Sequence, residues 1–142
     1  MSLLPIQVLG ASILRVETTP VAEITDELQV LIDDMFETMH AAQGIGLAAP
    51  QVGRSERLAV IEIEGEPFVI INPEIVDESG SDKAEEGCLS IPEIYGEVER
   101  SSHVVVHAMD REGKHYEIAA DGLLARCLQH EIDHLHGKLF ID

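Results

Sequence analysis

A chain of 142 residues is long enough for one domain with one core, and a hydrophobic fraction of 45% argues against disorder. Its 27 acidic and 9 basic residues give a net charge of −18. Such a balance disfavours sequence-independent nucleic-acid binding and docking on anionic membrane, both of which need clustered Lys and Arg, and its plain meaning is solubility or a salt-adapted host. Aromatic residues are scarce and Trp is absent, so the core must be built on Leu, Ile, Val and Ala.

The N-terminal stretch MSLLPIQVLG has no basic start, and Pro5 and Gln7 interrupt its apolar run, so it does not read as a signal peptide. No apolar run approaches membrane-spanning length. These features place the chain in the cytoplasm. The first predicted element is a helix over residues 25–42, where Leu28, Leu31, Ile32, Met35 and Met39 share one face. Thr25 is a suitable N-cap, and Asp26 and Glu27 suit the positive end of the helix dipole. A Gly-rich stretch, QGIGLAAPQVG, follows.

Then the period changes. RLAVIEI (57–63) and PFVII (67–71) read as strands of a hairpin turned at Glu64, Gly65 and Glu66. Asn72-Pro73 is expected to break the second strand, and EIVD to form a further short one. ESGSDKAEEG reads as a polar loop. HVVVHAM (103–109) and KHYEIA (114–119) flank Asp110 to Gly113 as a second hairpin. A last helix runs from about Asp121, its expected cap, to His136, with Gly137 as its stop. Hairpins bracketed by two helices predict an α+β fold with antiparallel sheets, occupying residues 1–142 as one domain.

The chemistry concentrates on that last helix, in QHEIDHLHG (129–137). His130 and His134 are four apart, so they lie on one helix face roughly 5–6 Å from each other and can grip one ion. Glu131 lies beside that axis and can reach water on the ion; this is the HExxH arrangement. A short pattern of this kind also arises by chance. Here Leu124, Leu128, Ile132 and Leu135 cover the other faces, and buried imidazoles and carboxylates need partners. An open metal site needs a third protein ligand, for which Cys88 and Cys127 are the candidates. A closed site of Cys88, Cys127, His130 and His134 is the alternative, but it leaves Glu131 without work. His136 points away from the pair, and His103 and His107 alternate with Val104 and Val106 on an exposed strand face.

Three segments resemble the motifs of the peptide deformylases, in the same order: GIGLAAPQ (44–51), EGCLS (86–90) and QHEIDHL (129–135). The resemblance spans essentially the whole chain, from ILRVETTPV to KLFID. It implies removal of the N-formyl group from the initiator methionine of nascent peptides, with release of formate. It also implies Cys88, His130 and His134 as ligands of one divalent metal ion, Fe(II) in the cell, with Zn, Ni or Co able to replace it. A thiolate and two imidazoles form a soft donor set that accepts such ions. Glu131 would take a proton from the water that the ion acidifies and return it to the leaving amine. By resemblance, the Gln51 amide and the Leu89 backbone N–H steady the oxyanion. Gly44 and Gly46 give close backbone approach, and Ile45, Leu123 and Cys127, with Glu86 nearby, line the methionine slot. Asp133 is expected to pair with Arg100.

Two departures accompany the resemblance. Many members continue past LFID into a C-terminal helix associated with ribosome docking. The chain ends at Asp142 and is strongly acidic, so ribosome contact is not the expectation, and neither membrane nor direct nucleic-acid binding is expected. Tyr95 stands where some members carry Arg. The rival readings are a zincin-like peptidase, which takes its third ligand downstream of HExxH, and a zinc-stabilised binding module with four protein ligands. EGCLS argues against the first.

Overall fold

The computed structural model describes residues 3–142; Met1 and Ser2, the start of the stretch read for a signal peptide, lie outside them. After a 3-10 turn at Ser12–Arg15, helix α1 (Asp26–Ala41) starts where its capping residue predicts. The Thr25 hydroxyl accepts from the Leu28 N–H at 3.1 Å, and the buried face carries Leu28, Leu31, Ile32, Met35 and Met39.

Strands β1 (Gly46–Ala48), β2 (Leu58–Ile63), β3 (Glu66–Ser79), β6 (His103–Met109) and β7 (His115–Asp121) form an antiparallel sheet in the order β1-β2-β3-β6-β7. Strands β4 (Asp82–Cys88) and β5 (Ile91–Arg100) pair only with each other, as a two-stranded ribbon. β2 is apolar at successive positions because it is buried on both faces. Ala59 and Ile61 pack in the cluster of the C-terminal helix, while Leu58 and Val60 pack in that of α1. The β2–β3 turn forms at Glu64 and Gly65, which both take positive φ (53° and 80°), as a two-residue hairpin requires.

Helix α2 (Gly122–Leu135) lies against β1, β2, β6 and β7 through Ala125, Leu128, Ile132 and Leu135. Gly137, at φ 75°, ends it; a Cβ there would meet the Arg15 carbonyl oxygen at 2.7 Å. The fold class is therefore α+β with antiparallel sheets, an N-terminal helix and the HExxH helix packed on the sheet.

Three expectations change. Asn72-Pro73 does not break its strand: β3 runs on to Ser79, absorbing the pair in a bulge between Ile71 and Glu74. Asn72 takes φ 50°; its backbone N–H donates to the Arg57 carbonyl at 2.9 Å, and its side-chain amide exchanges two hydrogen bonds with the Val21 backbone. ESGSDKAEEG is not a loop but the end of β3, a tight turn and most of β4. The cause is pairing with β5, whose YGEVER stretch supplies the partner strand; each strand has a single buried residue, so no apolar alternation announces them. Asp121 stands at the N-cap position of α2 but makes no side-chain capping bond: its carboxylate contacts His103 Nδ1 at 2.9 Å instead.

Candidate metal centre

Two elements bring the metal-type donors together. On α2 the four-residue spacing sets His130 Nε2 and His134 Nε2 3.2 Å apart. On the ribbon, the pairing of β4 with β5 slips after Glu86, and Cys88 at the end of β4 presents Sγ 3.3 Å from His134 Nε2. The three donor atoms all lie within 4.8 Å of one another, the one such cluster of His, Cys, Asp or Glu among the described residues. The donor set fits a divalent ion. Soft sulfur and imidazole nitrogen converge on one point, and the other ring nitrogen of His130 faces a carboxylate that holds its proton away from that point.

That carboxylate is Glu86. It faces His130 Nδ1 at 2.9 Å, Arg100 Nε and Nη2 at 2.9 Å each, and Arg126 Nη1 at 2.6 Å. Burial pushes its pKa up, but the hydrogen bonds from Arg100, His130 and Arg126 outweigh burial and hold it well below the usual carboxylate range. The charge of Arg100 is shared with Asp133, whose Oδ2 accepts from Nη1 at 2.6 Å, the pairing expected from sequence. The two imidazoles diverge. Burial works against a charge on His130, but Cys88 and Glu86 overcome it and lift its pKa to about 10. Burial, then the charges of His130 and Arg100, lower that of His134 to about 3.

Glu131 is 4% exposed, its Oε1 has no partner among the described residues, and burial pushes its pKa up to about 7. It stands against the Gly-rich segment, where a Cβ on Gly46 would overlap its Oε2. Gln51 uses both ends of its side-chain amide. Its Oε1 accepts from the Ala48 N–H at 2.9 Å, while its Nε2 turns to Ser90 Oγ at 3.2 Å and Cys88 Sγ at 3.6 Å.

A cavity of about 400 Å³ opens beside these groups. Gly44, Ile45, Gly46, Gln51, Glu86, Cys88, Leu89, Leu123, Cys127, His130 and Glu131 all stand in its wall; of the site residues named from sequence only His134 lies outside it, buried. Ile45 and Leu123 are about half exposed, so they are wall rather than core. Cys127 lines the cavity outside the donor cluster, and burial pushes its thiol up to about 12. Tyr95 is exposed at the rim. Glu86 stands in the wall with its carboxylate committed to His130 and the two arginines. His103 and His107 sit on the sheet and face Asp121 and Glu117 at 2.9 Å, and exposed His136 faces Glu17 at 3.2 Å.

Sequence reasoning passed over Arg126 and Ser90. Arg126 left a signal: a lone guanidinium inside the apolar run LLARCL of a buried helix needs an acidic partner. Ser90 left none.

The sequence model of the family described as Polypeptide deformylase matches residues 3–142. A peptide deformylase of Hydrogenovibrio crunogenus is 57% identical over 132 residues, covering 91% of this chain and 78% of that protein. The crystal structure of a peptide deformylase from Legionella pneumophila superposes with a TM-score of 0.98 at 53% identity, covering 99% of this chain and 85% of that one. That of a peptide deformylase from Synechococcus elongatus in complex with actinonin gives 0.96 at 48%, covering 98% and 77%.

Proposed function

The chain belongs to the polypeptide deformylase family, and on that footing we propose that its cavity hydrolyses the N-formyl amide of the initiator methionine of nascent peptides, releasing formate. The observation that carries this reading is the convergence of Cys88, His130 and His134 beside the unpartnered Glu131 Oε1 on an open cavity. Residues 1–142 act as one catalytic unit in the cytoplasm, where nascent chains are made. No helix among the described residues is long and apolar enough to cross a membrane.

Cys88, His130 and His134 hold the ion, which we take to be Fe(II) in the cell, with Zn, Ni or Co as replacements. Bound there, a divalent ion supplies Lewis acidity: it makes water a better proton donor and polarises a carbonyl oxygen. The protein does the rest. Glu86 fixes the His130 ring through Nδ1, which points Nε2 at the ligand position. Glu131 takes the proton of the attacking water and returns it to the leaving amine. Its burial suits that exchange, because a carboxylate drawn toward neutrality both accepts and gives up a proton readily.

The Gln51 Nε2–H and the Leu89 N–H are the donors proposed for the developing oxyanion, and the Ala48 bond to Oε1 keeps the Gln51 amide from flipping. The methionine side chain fits between Ile45, Leu123 and Cys127. Gly44 and Gly46 let the peptide backbone approach β1. The acidic surface gives no support to contact with ribosomal RNA.

The test is release of formate from formyl-Met-Ala-Ser by protein purified without oxygen and loaded with Fe(II) or Ni(II). Turnover of the formyl peptide and none of acetyl-Met-Ala-Ser is the outcome this reading requires. A Glu131→Gln variant should bind the metal yet lose ~10²–10⁴-fold in kcat, the usual worth of a positioned acid–base group. Metal-loaded protein that releases no formate would sink the proposal.

A further inference from the structure

The ligand set spans two bodies that are joined in an unusual way. The ribbon β4–β5 carries Cys88, and α2 carries both histidines. The main apolar cluster beneath α2 contains no residue of β4 or β5, and of the ribbon's side chains only Ile91 is a buried member of any apolar cluster. The ribbon is held on α2 by hydrogen bonds instead. Besides His130, which faces Glu86, three α2 residues at i, i+3 and i+7 make that seam. Gln129 accepts from the Ser101 N–H at 2.9 Å and donates to the Ser101 carbonyl at 2.8 Å, and Asp133 accepts from Arg100 at 2.6 Å.

Arg126 makes the third and broadest connection. Nη1 donates to the Val98 carbonyl on β5 at 2.9 Å and to Glu86 on β4 at 2.6 Å; Nη2 donates to the Asp82 carbonyl at 2.8 Å, with the Asp82 carboxylate at 3.4 Å. One buried fork thus touches both strands of the ribbon and the carboxylate that orients His130. A lysine cannot reproduce this, because a single ammonium has no planar spread of donors.

We propose that Arg126 is a positioning residue of the metal centre: it fixes the Cys88-bearing ribbon against the histidine-bearing helix and so sets the thiolate–imidazole spacing. The inference rests on the reading of Cys88, His130 and His134 as ligands. Without Arg126 the Val98 and Asp82 carbonyls lose that donor and Glu86 Oε2 keeps only Arg100 Nε, so the ribbon is held less firmly against α2. The thiolate then pays an ordering cost on binding that the parent has already met.

The experiment is Co(II) titration against a competing chelator, read together with the near-ultraviolet sulfur-to-cobalt charge-transfer band that reports thiolate ligation. It uses the full chain and its Arg126→Met and Arg126→Lys variants. Arg111→Met serves as the control, since Arg111 bonds Gln29 and Asp33 on α1, away from the site. Arg126→Met should bind Co(II) about 10–100-fold more weakly, the usual cost of losing a group that supports a metal ligand, with a weakened band. Arg126→Lys should fall between it and the parent, and Arg111→Met should match the parent. If Arg126→Met does not fold, Arg126→Lys alone decides: reduced affinity and band support the proposal. Folded Arg126 variants with parental affinity and band overturn it, whatever their melting temperature, and leave the deformylase reading standing. A parent chain without a charge-transfer band overturns the ligand reading itself, and this inference with it.

Discussion

Gly46 is the residue where the site tolerates least. A Cβ there would overlap a carboxylate oxygen of Glu131, which is buried and cannot swing into water. Gly46→Ala should therefore abolish deformylation while far-UV circular dichroism stays that of the parent. Gly44→Ala should be milder, because its Cβ would meet the end of the Leu89 side chain, which can rotate. Glu86 is a different kind of position. Its loss would leave Arg100 and Arg126 as buried charges short of a partner, so Glu86→Ala should destabilise the fold by about 3–5 kcal/mol in urea unfolding. Tyr116 gives a pH test clear of the metal centre. Burial, with Asp110 nearby, lifts its phenol to about 12, while its hydroxyl donates to the Val69 carbonyl. The folded state thus favours the neutral phenol. That stabilisation is complete below about pH 10, the unfolded value, and is lost as pH rises through about 12. Urea midpoints should fall across this window in the parent and fall less in Tyr116→Phe.

The two helices and the ribbon differ in how they announce themselves. Each helix carries an apolar stripe at three-and-four spacing with its stop or cap in place, so both were legible. Leu128 is fully buried in the stripe of α2, and Leu128→Ala should cost about 2–5 kcal/mol. The hairpins β2–β3 and β6–β7 were legible because their strands bury one or both faces. The ribbon was not. Its strands are held by pairing with each other and by the polar seam to α2, and hydrogen-bonded strands without a buried face have no periodic apolar signal. Asn72-Pro73 was misleading for a related reason. Pro cannot donate to a ladder, but a bulge and the Val21 backbone take up the slack, so the strand survives it.

Taken whole, the molecule is a sheet with a helix on each face and a ribbon that closes the site from the side. An ion held, as proposed, by Cys88 on the ribbon and His130 and His134 on α2 would tie those parts together. Such an ion would favour the folded chain over the unfolded one, so stripping it with a chelator should lower Tm, and readdition should restore it. A site saturated at 1,000 times its Kd contributes about 4 kcal/mol by this linkage. The charge of −18 acts over the same dimension. Mutual repulsion of surface carboxylates opposes compaction, and salt screens it. Metal-free protein should therefore gain Tm between about 0.01 and 0.15 M NaCl, as the Debye length shrinks from about 30 to 8 Å.

The motif segments, read along the chain, were enough to name the family and to single out Cys88, His130, His134 and Glu131 as candidates, because that choice depends on residue type and on spacing within one helix or one loop. The pairing of Asp133 with Arg100 was also foreseen. What the chain order could not reveal is which groups from distant segments meet. Arg126, Glu86 and the ribbon backbone are separated by 28 to 44 residues. Their contact follows from the way the sheet seats α2 and the ribbon folds back over it. A buried arginine demands an acidic partner, but only packing chooses which one, and here it chose the carboxylate that faces His130.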